Sequence, residues 1–130
     1  MKMTKDDWAD IKHFHPSEFD SPDAPGSGEL GMEKDFVQVL DTLRSYCGFP
    51  FTITSGFRSL SHNKEVGGVE NSAHTNGYAA DIAIRSSSQR FAVLSAVFEV
   101  GPGIYRIGIA NTFIHLDMDP SLPKSVLWTY

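Results

Sequence analysis

The stretch YAADIAI at residues 78–84 decides the fold, because it predicts a strand with one apolar face and one polar face. Successive side chains of a strand point to opposite sides of the sheet, so Ala80, Ile82 and Ile84 form a core face. Asp81 points the other way, between two alanines. These small neighbours leave the room around its carboxylate that a metal or a substrate requires.

A second strand with the same division of faces is predicted over residues 112–118. Ile114 and Leu116 lie on its apolar face, while His115 and Asp117 lie beside each other on the opposite face. Taken alone, this segment also fits a half-exposed strand whose polar residues face water.

Helices and further strands are predicted around these two strands. Over residues 32–47, Phe36, Leu40 and Leu43 recur at helical spacing, and Gly48 marks the end of the helix. The other elements are a strand over residues 51–55, a helix opening at Ser86 with Phe91, Leu94 and Phe98 on one face, and a strand over residues 104–109 that pairs with residues 112–118 as a hairpin. Together they predict an α+β fold in which a small antiparallel sheet is flanked by helices.

Length and composition indicate one domain without disulfides. The chain has 130 residues, enough for one core, and residues 1–30 are expected to form an irregular arm that packs on it. The formal net charge is −5 and no cluster of lysine and arginine offsets it, so nucleic-acid binding is disfavoured. The single cysteine, Cys47, has no internal disulfide partner.

No apolar run approaches the ~20 residues of a membrane span, and the N-terminus lacks the apolar stretch of a signal peptide. We therefore expect residues 1–130 to form a monomeric domain without membrane contacts.

The long segment at residues 56–77 contains four glycines and is predicted to be a functional loop. It includes His74, seven residues before Asp81, and Gly77 can adopt the positive φ that turns the chain back. His74, Asp81 and His115 would then form a set of three nitrogen and oxygen ligands, which suits zinc with water in the fourth position. Calcium is less suitable, because the set offers too few oxygens.

Three short motifs occur in a fixed order along the chain. SAHTNGYAAD at residues 72–81 matches the signature S-x-H-x-x-G-x-A-x-D of the zinc D-alanyl-D-alanine carboxypeptidase and L-alanyl-D-glutamate endopeptidase family. TSGFRS at residues 54–59 resembles the S-G-[YF]-R-S turn of that family, and FIHLD at residues 113–117 resembles the F-x-H-x-D ending of one branch. Trp128 is similar to a tryptophan that often follows this ending.

The resemblance implies a hedgehog-like α+β fold and hydrolysis of amide bonds in peptidoglycan stem peptides. It also implies one Zn²⁺ ion bound by His74, Asp81 and His115. Arg58 is implied to reach the substrate, where a permanently charged guanidinium polarises the scissile carbonyl or holds a carboxylate.

Three further polar residues are candidates for contact with the substrate. By resemblance, Ser72 hydrogen-bonds the substrate or orders its own loop, and a purely structural role fits equally well. Asn63 belongs to a segment that resembles the one after the arginine turn in this family, and His62 beside it is expected to line the cleft.

The general base of the family has no counterpart at its usual position. Many members carry Glu or Asp three residues before the last histidine ligand, but this chain has Thr112 there, and threonine accepts no proton at neutral pH. Some branches carry histidine two residues before the ligand, where this chain has Phe113. The nearest carboxylate on the same face is Asp117, which either accepts the proton of zinc-bound water or orients His115.

The sequence therefore predicts a zinc metallopeptidase of peptidoglycan, either a carboxypeptidase or an endopeptidase. Without a signal peptide, we expect a phage or prophage lysin that stays in the cytoplasm until its release, or a virion-associated enzyme. One alternative, favoured by Thr112, is a non-catalytic, zinc-stabilised module that binds peptidoglycan or a protein. Another is a metal-free domain, whose melting temperature a chelator would leave unchanged.

Overall fold

One five-stranded sheet carries the candidate residues Asp81, His115 and Asp117 in the computed structural model, which describes residues 1–130. Its strands are β1 (Ile53–Ser55), β2 (Ala79–Ala83), β3 (Arg106–Ile109), β4 (Phe113–Asp117) and β5 (Val126–Thr129). Their order across the sheet is β1-β2-β4-β3-β5. The α+β fold predicted from the sequence is confirmed.

The sheet is not wholly antiparallel, because β3 and β5 run parallel. The reason is topological. The chain reverses once between β3 and β4 and again after β4, so β5 runs opposite to β4 and in the direction of β3. The sequence did not predict β5, which lies at an edge and alternates between half-buried and exposed residues.

Four helices accompany the sheet: α1 (Ser27–Gly31), α2 (Lys34–Cys47), α3 (Leu60–Glu65) and α4 (Ser87–Val100). The two long helices, α2 and α4, pack against each other, and their buried side chains join the apolar face of the sheet in one core. As predicted, α2 buries Phe36, Leu40 and Leu43. The Ser86 side chain caps α4 by accepting a hydrogen bond from the backbone N–H of Gln89.

The buried face of α4 differs from the predicted one. Phe91 and Phe98 are 75% and 73% exposed, whereas Val93, Ala96 and Val97 are buried. The three smaller side chains lie on the side of α4 that joins the core, so the aromatic residues are left on the opposite side. The periodicity of the sequence predicted the helix correctly. The positions of its largest apolar side chains did not indicate which face of the helix is buried.

The first thirty residues contain two short 3₁₀ helices, Asp6–Asp10 and Pro16–Phe19, as well as the start of α1. Trp8, Phe14 and Phe19 are buried in the main core. The arm is therefore anchored on the rest of the chain by aromatic side chains.

The long loop before β2 contains one helix that its sequence did not predict. This helix, α3, begins after Ser59, whose hydroxyl accepts a hydrogen bond from the backbone N–H of His62. It is only six residues long, too short for its apolar pattern to stand out. None of the helices combines the length and apolarity needed to cross a membrane.

Candidate metal centre

The pairing of β2 with β4 brings two of the three predicted ligands together. Asp81 and His115 are direct partners across these antiparallel strands, and both lie on the face opposite the core residues Ile82 and Ile114. Directly opposed side chains of an antiparallel pair lie about 5 Å apart at their Cβ atoms. The strand register itself therefore places the carboxylate beside the imidazole.

His74 reaches the same point from the loop before β2. Gly77, with a φ of 79°, turns the chain, and its N–H donates to the carbonyl of His74. The same carbonyl also accepts a hydrogen bond from the backbone N–H of Arg58, which ties this loop to the segment after β1. The turn expected at Gly77 is thus the one that returns His74 to Asp81.

The three side chains present their ligand atoms to one position. His115 Nδ1 lies 2.8 Å from Asp81 Oδ1, and His74 Nε2 lies 3.3 Å from the same oxygen. One ligand atom from each residue lies within 4.8 Å of the others, and all three residues are buried. Two imidazole nitrogens and a carboxylate oxygen at this spacing fit the donor set of a single zinc ion.

The second nitrogen of each imidazole is already occupied. His74 Nδ1 lies 2.8 Å from the carbonyl oxygen of Gly56, and His115 Nε2 lies 2.6 Å from Asp117 Oδ2. Because a carbonyl and a carboxylate only accept hydrogen bonds, these nitrogens donate to them. His74 Nε2 and His115 Nδ1 both face Asp81, and they are the atoms that would bind a metal, which displaces any proton they carry.

Burial and hydrogen bonding have opposite effects on the pKa of Asp81, and also on the pKa of His115. Burial of Asp81 raises its pKa, but hydrogen bonds with His115 and His74 outweigh that effect, and the net pKa lies well below the ordinary value. Burial of His115 lowers its pKa, but hydrogen bonds to Asp117 and Asp81 reverse the effect and raise it. The site therefore stabilises positive charge beside its carboxylates, which is the charge that a bound cation supplies.

Arg58 lies at the edge of this group. Its Nε donates to Ser55 Oγ at 3.1 Å and its Nη1 donates to Asn63 Oδ1 at 3.2 Å. Its Nη2 lies 3.8 Å from Asp81 Oδ2, and the side chain is 17% exposed. Two of its nitrogens are therefore fixed by the protein, while the third faces the ligand group and the cleft in front of it.

The other three predicted substrate contacts differ in position. Ser72 lines the cleft, but its hydroxyl accepts a hydrogen bond from the backbone N–H of His74. Asn63 is buried, and its side chain links Arg58 to the carbonyl of Val69. Asn63 therefore supports Arg58 and does not line the cleft.

His62 is not brought to the cleft, contrary to expectation. It is absent from the lining of the cavity, and its backbone N–H donates to Ser59, whose hydroxyl donates to Asp23 on the N-terminal arm. The reason is the helical geometry of α3. Asn63 follows His62 directly and points inward to Arg58, so its helical neighbour points about 100° away.

Asp117 is almost completely enclosed, with 1% of its side chain exposed. Besides His115, it contacts Arg106 Nε at 2.9 Å through Oδ1 and accepts a hydrogen bond from the backbone N–H of Asp119. It lies beyond the Nε2 side of the His115 ring, whereas the ligand atom of that ring is Nδ1. These contacts favour the orienting role over that of a base. Thr112 is exposed and precedes β4 without lining the cleft.

A cleft of about 520 Å³ opens in front of the ligand group. Its walls include residues that the sequence interpretation did not assign to the site, namely Arg106, Phe113, Leu122 and Tyr130. Trp128 lines it too, and its ring centroid lies 5.4 Å from that of His115. The spacing of Trp128 and Tyr130, two residues apart, could have indicated this wall of the cleft from the sequence, because a strand would direct both side chains toward one face.

Comparison with known proteins agrees with this geometry. A zinc D-Ala-D-Ala carboxypeptidase of Streptomyces albus G is 46% identical over 46 residues, which amount to 35% of this chain and 17% of that protein. The chain thus matches about a sixth of the length of this relative. A family model described as Peptidase M15 matches residues 12–117. Because this match spans most of the sequence and includes all three converging residues, the chain belongs to the peptidase M15 family.

Proposed function

We propose that residues 1–130 act as one zinc-dependent peptidase domain that hydrolyses amide bonds in peptidoglycan stem peptides. The observation that carries the proposal is the convergence of His74, Asp81 and His115 on one position, with the other nitrogen of each imidazole held by a protein acceptor. Membership of a peptidase family supports hydrolysis. The similarity to a zinc D-Ala-D-Ala carboxypeptidase supports zinc as the metal and a cell-wall peptide as the substrate.

Zinc in this position would polarise a peptide carbonyl and supply a water-derived nucleophile near neutral pH. Three protein ligands leave the fourth coordination position open, which is the arrangement of catalytic rather than structural zinc sites. The cleft in front of the ligands gives a peptide access to that position.

Arg58 is proposed to bind the substrate beside the metal. Its guanidinium is held by Ser55 and Asn63, so it does not need to be ordered when substrate binds. A fixed cation near the scissile carbonyl stabilises the negative charge that develops on its oxygen. The same group would hold a substrate carboxylate with a charge-assisted hydrogen bond.

Asp117 is proposed to orient His115 and to keep the proton on Nε2. Replacement by asparagine separates this role from that of a base. An orienting role predicts zinc binding weakened by about 10–100-fold, with turnover largely recovered at saturating zinc. A base predicts unchanged zinc affinity and turnover reduced by about 10²–10⁴-fold even at saturation. Zinc affinity and zinc-saturated turnover of Asp117→Asn decide between them.

The proposed activity is tested with purified zinc-loaded protein and isolated bacterial cell walls. We expect release of soluble peptides, and mass spectrometry of the products identifies the bond. Loss of a terminal D-alanine indicates a carboxypeptidase, and a cut within the stem peptide indicates an endopeptidase.

Arg58→Gln should reduce release by at least tenfold, whereas Arg90→Gln, which removes carbonyl contacts at Ala110 and Asn111, should not. No release by protein with zinc bound would contradict the enzymatic proposal.

A second candidate function is a zinc-stabilised module that binds the wall without cutting it. The observation that favours it is the lack of a free carboxylate in the cleft. Asp81 and Asp117 are the carboxylates that line the cavity, and both are bonded to His115. This alternative predicts that the zinc-loaded chain sediments with cell walls but releases no peptide.

A further inference from the structure

The cation that faces Asp117 comes from the neighbouring strand. Arg106 on β3 is the direct partner of Asp117 on β4, and its Nε lies 2.9 Å and 3.2 Å from the two carboxylate oxygens. Its Nη1 donates a 2.7 Å hydrogen bond to the carbonyl oxygen of Pro123. The guanidinium thus joins β4 to the loop before β5, and its side chain is 17% exposed.

An aromatic side chain from the edge strand lies against both Arg106 and His115. The Arg106 guanidinium carbon lies 5.3 Å from the centre of the Trp128 ring, and that ring also packs against His115. The register explains this arrangement, because His115, Gly108 and Trp128 form one row across β4, β3 and β5. A Cβ at Gly108 would come within 2.6 Å of the indole, so only glycine lets Trp128 lie in this position.

We propose that Arg106 is a positioning residue for the metal site. It acts through Asp117, which it holds in the orientation that accepts the Nε2–H of His115 and leaves His115 Nδ1 facing Asp81. The inference rests on the proposed function, because it takes His115 to be a zinc ligand. It adds a residue that contacts neither the metal position nor the other two ligands.

The contacts explain why an arginine suits this position. Its planar, permanently charged group presents several N–H donors in fixed directions, and here they reach a carboxylate and a carbonyl at the same time. Its guanidinium carbon lies 5.3 Å from the centre of the Trp128 ring, within the range of a cation–π interaction. A lysine at Arg106 would keep the positive charge but would not reproduce both hydrogen-bonding contacts at once.

The test compares Arg106→Gln and Arg106→Lys with the wild type and with Arg90→Gln. Zinc affinity is measured by competition with a chromogenic chelator, and the hydrogen bond from His115 Nε2–H to Asp117 is read from ¹H–¹⁵N NMR of the imidazole in the zinc-loaded protein. We expect Arg106→Gln to weaken zinc binding by about 10–100-fold and to weaken this hydrogen bond. Arg106→Lys should recover part of the affinity, and Arg90→Gln should stay within twofold of the wild type.

The outcomes separate this inference from the proposed function. If the wild type binds zinc and both Arg106 variants bind it within twofold of that affinity, the inference is wrong and the zinc site stands. If the wild type binds no zinc, both proposals are wrong. A purely structural role would lower the melting temperature but leave the zinc affinity and the hydrogen bond from His115 Nε2–H to Asp117 unchanged in the folded protein. If Arg106→Gln does not fold, the same two measurements on Arg106→Lys decide the question by the same criteria.

Discussion

The two faces of β2 and β4 are held in place by different forces. On the core face, Ile82, Ile114 and Leu116 are fully buried and are held by packing against the helices. On the opposite face, Asp81 and His115 are held by polar contacts with each other, with His74 of the preceding loop and with Asp117 of β4. The apolar face fixes where the strands lie, and the polar face fixes which atom each ligand presents. Substitutions on the two faces should therefore have separable effects.

The largest expected change in stability comes from the core face. Leu116→Ala should lower the free energy of unfolding by about 2–5 kcal/mol, because it leaves a cavity where packing cannot close. Zinc stoichiometry of the folded protein should remain one per chain. Leu60→Ala, at a position 76% exposed on α3, is the matched control and should change stability by less than about 0.5 kcal/mol. Urea denaturation measures both, and loss of zinc from folded Leu116→Ala would contradict the separation.

A smaller loss of stability, which depends on pH, is expected when Asp119 is replaced. Asp119 is buried and accepts hydrogen bonds from Ser121 and from Asn76, which lies in the loop that carries His74. Burial raises its pKa, but these hydrogen bonds outweigh burial and place the pKa below the ordinary value of 3.8. Asp119→Ala should therefore cost about 1–2 kcal/mol at pH 7.

The sign of the pH dependence follows from the lowered pKa of Asp119. Its contribution is complete above pH 3.8, the ordinary value, and is lost as the pH falls through the folded-state pKa. The stability difference between wild type and Asp119→Ala should narrow on acidification below about pH 4. Asp10→Ala, at an exposed position, serves as the control. A difference that stays constant from pH 7 to pH 3 would show that the ionised carboxylate is not the stabilising form.

The smallest change in the free energy of unfolding is expected from the residue that caps α4. Ser86→Ala removes the hydroxyl that accepts the N–H of Gln89 and should cost about 1 kcal/mol. Zinc affinity should not change, because α4 packs in the core and contributes no residue to the cleft. Ser88→Ala, exposed within the same helix, is the control. Thermal unfolding with and without zinc checks this, and an altered zinc affinity in Ser86→Ala would mean that the two faces are coupled.

Local patterns were sufficient to predict the two faces of the central strands. Alternation at residues 78–84 and 112–118 predicted that Asp81, His115 and Asp117 lie opposite the core, and the register of β2 with β4 then brings the first two together. The turn at Gly77 was also predictable, because few residues other than glycine adopt a positive φ.

Features that depend on tertiary contacts were not predictable. The position of Arg106 depends on the pairing of β3 with β4, and that of Trp128 on the parallel pairing of β3 with β5. The outward position of Phe91 and Phe98 depends on which face of α4 meets α2 and the sheet. His62 was misplaced because a short helix directs adjacent residues to different sides, which a loop interpretation does not reveal.

The central claim is that His74, Asp81 and His115 together hold one zinc ion. Native mass spectrometry of the wild type and of His74→Ala, Asp81→Ala and His115→Ala, each supplied with equimolar zinc, tests it most directly. We predict one zinc ion on the wild type and none retained by the three variants. A wild type that carries no zinc, or variants that carry it as fully as the wild type does, would contradict the claim.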